Sequence, residues 1–208
     1  MLSQWTRANL ALGRESLARR EASAAPSYFK AALSPPENLG ETTHPLANES
    51  ETFYWAGVAS SAVGDADQAN IWWRKAASRR EDFQKMTVQP VSDMTYWSAL
   101  ALRRLGRDAE AHALFLSIEI HANTLENESP QIDYFATSIP TMLLFREDLV
   151  RRNLIEARFL RAQAYLGLDR KSEALALLHS VVEMDHNQIR AVDLLRDQEK
   201  QVLQERRH

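Results

Sequence analysis

Six histidines, His44, His112, His121, His179, His186 and His208, are the side chains best suited to proton transfer or metal ligation near neutral pH. None lies in an HExxH motif, and none has a second His, Asp or Glu at consistent ligand spacing. Glu110 and His112 are two residues apart, so on a helix they point to different faces. The chain has no cysteine, which excludes thiolate nucleophiles, disulfides and Cys-based metal sites. GxSxG, P-loop and GxGxxG motifs are absent, and no serine sits in a nucleophile-elbow context. No catalytic residue, metal ligand or cofactor is therefore assigned. The remaining chemistry is recognition. Tyr54-Trp55 and Tyr96-Trp97 offer flat apolar faces with a polar tip, and Arg103-Arg104 can pair with a carboxylate or phosphate.

The elements that must position these residues read as helices. Ala, Leu, Arg and Glu dominate, only six glycines occur, and apolar residues recur at three- and four-residue spacing. Helices are expected near 2–21, 23–33, 50–63, 66–79, 92–105, 108–122, 145–167, 171–184 and 187–205. Loops are expected at 34–49, 80–91 and 123–131, with 132–144 ambiguous. A formal charge of -3 argues against general nucleic-acid binding, which needs a basic face. Paired arginines near helix ends (Arg19-Arg20, Arg79-Arg80, Arg151-Arg152) read as dipole compensation and surface ion pairing. No apolar run is long enough to span a membrane. The first twenty residues lack signal-peptide character, so a cytoplasmic protein is expected.

Two stretches repeat. Tyr54-Trp55 aligns with Tyr96-Trp97, Gly64 with Gly106, Ala69 with Ala111 and Trp73 with Phe115, all at the same offset. A third copy carries Tyr165, Ala174 and Leu178, with Asp169 where the turn glycine should be. Each copy reads as a helix, a tight turn and a second helix. Small residues (Gly57, Ala99, Ala69, Ala111, Ala174) let the two helices approach, and a large residue fills the wedge beside them. One hairpin cannot bury its own apolar face, but stacked hairpins can.

These copies resemble tetratricopeptide repeats (TPR). Gly57, Gly64, Ala69, Trp73 and Ala76 follow that family's signature in order, and Ala111 and Phe115 carry it in the next copy. An earlier hairpin reads as degenerate, with Phe29 and Ala32 but no turn glycine at the right distance. The copies are spaced more widely than the family's 34-residue period. The implied fold is all-α, a short irregular α-solenoid forming one domain over 1–208. Its hairpins fall at 2–33, 50–79, 92–122 and 145–184, and 187–205 caps the last one or forms a dimer interface. A narrower resemblance rests on SPPENLGE, the repeats opening with Tyr-Trp, and DYFATSIPTMLLFREDLVRRN. It is to the C-terminal helical region of large bacterial proteins that join a β-rich domain, suspected in carbohydrate processing, to TPR-like repeats.

The TPR resemblance implies a concave groove lined by first helices. Its positions fall on Tyr54, Val58, Ser61 and Ala62, on Tyr96, Leu100, Arg103 and Arg104, and on Phe159, Gln163 and Leu166. The competing reading makes the Tyr-Trp pairs packing residues between hairpins, with the tryptophans more buried than the tyrosines. Glu37, Asn38, Glu41 and His44, in the proline-rich loop, are expected either in an inter-repeat connection or at a groove edge. Residues 131–145 read as an extra half-hairpin or as a lid. The expected function is a non-catalytic scaffold, monomeric or weakly dimeric, that holds a peptide or protein partner. A sugar-binding accessory module and an enzyme subunit completed by another chain are the alternatives.

Overall fold

The computed structural model of the protein describes residues 1–41, 44, 47–79, 82–84, 87–128 and 148–205. The helices are α1 (Leu2–Ala18), α2 (Ala25–Leu33), α3 (Ser50–Ala62), α4 (Ala66–Ser78), α5 (Asp93–Arg104), α6 (Asp108–Asn127), α7 (Leu149–Gly167), α8 (Lys171–Met184) and α9 (Ile189–Glu205). The all-α expectation holds with two departures: α6 continues through 123–127, where a loop was expected from 123, and two short strands form. The segment 80–91, read as a loop, contains strands β1 (Asp82–Gln84) and β2 (Thr87–Gln89), paired antiparallel with Phe83 opposite Val88. The expectations placed on 131–145 lie outside the described residues.

One turn recurs four times. Arg20, Gly64, Gly106 and Asp169 all have positive φ, at 61°, 84°, 73° and 61°. The following amide reaches back to the last turn of the preceding helix each time: Glu21 N to Ser16 O (2.9 Å), Asp65 N to Ser60 O (2.9 Å), Arg107 N to Leu102 O (2.9 Å) and Arg170 N to Tyr165 O (2.8 Å). This is the Schellman arrangement, which satisfies helix-end carbonyls at the cost of one left-handed residue. Asp169 thus fills the glycine position, as its place in the alignment implies.

The first hairpin is in register too, which corrects the expectation that it is degenerate. Arg20 takes the left-handed turn, and the Ser16 hydroxyl holds it by donating to the Glu21 carbonyl at 2.8 Å. Seven residues before each turn residue stands Gly13, Gly57, Ala99 or Ala162. On the second helices stand Ala25, Ala69, Ala111 and Ala174, all fully buried, followed by Phe29, Trp73, Phe115 and Leu178, also buried. The two glycines are demanded by packing. A Cβ on Gly13 would lie 2.5 Å from Phe29 Cζ, and one on Gly57 would lie 2.4 Å from Trp73 Nε1. The aromatic rings rest directly on the first helix's backbone.

The helix starts follow ordinary capping chemistry. Asp65 accepts from Gln68 N, Asp148 accepts from Arg151 N, and Ser92 and Thr95 close a capping box on α5. Pro35 and Pro36 follow the end of α2, and Gly40 turns left-handed after the short 3-10 helix Glu37–Leu39.

The chain divides into two compact units, Met1–Phe115 and Leu116–His208, with the boundary inside α6. In the first unit α2 packs on α3 and α4 on α5, while the first helices α1, α3 and α5 also touch in succession. One of its cores gathers Leu10, Ala25, Phe29, Ala56 and Ala59, flanked by Leu17, Trp55 and Trp72. In the second unit Ile155, Phe159 and Ala162 of α7 meet Leu178 and Val181 of α8 and Ala191, Leu194 and Leu195 of α9. On α9, Ala191, Leu194 and Leu195 are buried and Ile189 is exposed. With 3.6 residues per turn, the 191–194–195–198 stripe is the one that faces α8.

Candidate partner-binding face

The aromatic pairs of α3 and α5 form a continuous run of rings in the first unit. Phe29 stacks on Trp55 (6.5 Å between centroids), and Trp55 meets Tyr54 at 5.5 Å and Trp97 at 5.9 Å. Tyr54 reaches Trp97 at 5.5 Å, and Tyr96 touches Trp97 at 5.1 Å and Phe115 at 6.0 Å. Residues 54 and 55 are one helical step apart. That step turns the tyrosine toward α5 and the tryptophan toward α2, so each ring lies in a seam between hairpins.

Of the groove candidates, Tyr54, Tyr96, Phe159 and Gln163 are buried. Burial, then the neighbouring Tyr54, holds the Tyr96 phenol well above its ordinary ionisation range. The expectation that the tryptophans are more buried than the tyrosines is corrected. Trp55 is half-buried beside a buried Tyr54, and Trp97 is no more enclosed than Tyr96. The indole N–H groups of Trp55 and Trp73 find no acceptor among the described residues.

What the first-helix face leaves open in this unit is its C-terminal end. Val58 is half-buried and Ser61 and Ala62 are exposed on α3; Leu100 and Arg103 are half-buried and Arg104 is exposed on α5. The Arg103 guanidinium sits 4.9 Å from the Phe115 ring centroid, and that of Arg104 sits 5.7 Å from Trp73. Both are oriented by aromatic surface at the helix end where the backbone dipole favours positive charge.

In the second unit, Phe159 belongs to the α7–α8–α9 core and Leu166 is half-buried against it. Arg161 there bonds Asn123 Oδ1 at 2.7 Å and pairs with Glu126. Arg170 stacks on Tyr165 at 3.6 Å while forking onto Glu173, whose carboxyl that contact holds below its usual range.

The loop candidates separate into a tether and an exposed strip. The Glu41 carboxylate accepts from Leu2 N at 2.9 Å and from the Met1 amino group at 3.0 Å, capping α1 and lowering the Glu41 pKa. Glu37, Asn38 and His44 are exposed; the Glu37 carbonyl closes the 3-10 turn onto Gly40 N, and the His44 carbonyl accepts from Ala47 N.

Sequence reasoning missed a buried polar cluster that joins the two inter-hairpin segments. Asn48 N donates to Asp82 Oδ1 at 3.0 Å, and Asn48 Oδ1 accepts from both the amide and the hydroxyl of Ser50. Ser98 Oγ lies 2.9 Å from Ser50 Oγ and 3.1 Å from the Arg79 carbonyl oxygen, either of which can accept its one proton. Next to it, burial raises the Glu49 pKa, and Arg79 partly opposes the rise. Asp82, the partner of Asn48 34 residues away, carries no local signal. Among the described residues no three His, Cys, Asp or Glu converge to hold a metal, and no helix is long and apolar enough to cross a membrane.

No protein-family model and no solved structure matches the chain.

Proposed function

We propose that the chain is a TPR-like, non-catalytic interaction module that holds a peptide or protein segment against the first helices of its hairpins. The observation that carries this reading is the open end of the α3–α5 face. Apolar and small side chains (Val58, Ala62, Leu100) lie there with two guanidiniums already seated on Phe115 and Trp73. The exposed Arg104 guanidinium, held over Trp73, loses little entropy on pairing with an acid, which favours a segment bearing carboxylates. The four-fold recurrence of the turn, with small and large residues in one register, supports the solenoid part of the reading. In this reading the protein is cytoplasmic, monomeric or weakly dimeric, and related to the helical part of the larger bacterial proteins named above.

The sugar-binding alternative is less favoured. Two of the three half-buried indoles are already covered, Trp55 by Phe29 and Arg14, and Trp72 by Phe53 and Lys75. A photo-crosslinking residue at Ser61 separates the readings: it should trap a discrete protein partner, while the same residue at Arg74 on α4 should not. Equal trapping at both positions would refute the assignment of the face.

A further inference from the structure

We draw no further inference here: the strongest candidate, the cleft of about 360 Å³ between the start of α7 and the α8–α9 junction, sets Arg151 and Arg152 against Asp148, Glu156 and Asp185, and nothing in the structure shows what fills it.

Discussion

Trp73 lies on the backbone of Gly57 so closely that the smallest side chain at position 57 would come within 2.4 Å of its indole nitrogen. Phe29 and Gly13 repeat the relationship in the first hairpin at 2.5 Å. In the third hairpin the corresponding positions hold Ala99 and Phe115, and both are buried. The close approach of two helices is thus set by a matched pair, a small residue and the ring or aliphatic group that covers it.

Gly57→Ala should therefore destabilise the protein, although alanine is the better helix former by ~1 kcal/mol. Overpacking costs about 1–3 kcal/mol. Combining it with Trp73→Phe, the residue type at the corresponding position of the third hairpin, should recover part of the loss. Urea unfolding of the two single variants and the double variant measures the coupling. Strict additivity would contradict the contact.

Arg20 occupies a left-handed turn position that two other hairpins give to glycine. A non-glycine residue there carries a strain of about 1–2 kcal/mol, part of which glycine gives back as unfolded-state entropy. Arg20→Gly is expected to raise stability by about 0.5–1 kcal/mol, and Gly106→Ala to lower it by about 1 kcal/mol. Denaturation midpoints moving in opposite directions would bear this out; a destabilised Arg20→Gly would contradict it.

The Asn48 side chain serves both the amide and the hydroxyl of Ser50 inside the protein. Asn48→Ala leaves the Ser50 amide short of an acceptor, while the hydroxyl keeps the Ala76 carbonyl at 3.1 Å, at a cost of about 1–3 kcal/mol. Thermal unfolding should show a lowered midpoint with the helical signal of the folded state retained. An unchanged midpoint would mean that the cluster contributes nothing net.

Glu49 gives a pH dependence of defined sign. Its folded pKa is raised above 4.5 by burial, so its favourable contribution is present at lower pH and is lost as pH rises through the raised value. Glu49→Gln should be neutral or stabilising at pH 7 relative to the parent, by under about 1 kcal/mol because the group is only half-buried. That difference should vanish below about pH 4. A glutamine variant less stable at pH 7 than at pH 4, relative to the parent, would show that the Arg79 attraction dominates instead.

Much of this architecture was legible before any coordinates. Helical periodicity located all nine helices of the described residues, and the alignment of Gly64 with Gly106 located two turns and pointed to Asp169 for the last. The first hairpin was placed at 2–33, but its turn residue escaped because an arginine at a positive-φ position leaves no compositional trace. Gly13 escaped because a glycine inside a helix announces a packing partner only once Phe29 is placed. The fate of Tyr54 and Tyr96 turned on geometry that periodicity cannot supply: both lie on the seam where one hairpin meets the next. Long-range polar contacts such as Asn48 with Asp82 have no local signature at all. Among the groove candidates, Ser61 and Ala62 on α3 and Arg104 on α5 are exposed, with Arg103 half-buried beside them.

The most direct measurement is quantitative affinity capture from the source cell with the parent protein, an Arg103→Glu/Arg104→Glu variant and an Arg19→Glu control, with circular dichroism on all three. The account predicts that the double variant loses at least ten-fold of its specifically captured partner, while the control and the helical signal are unchanged. Capture of the same partner at undiminished yield by the well-folded double variant would contradict it.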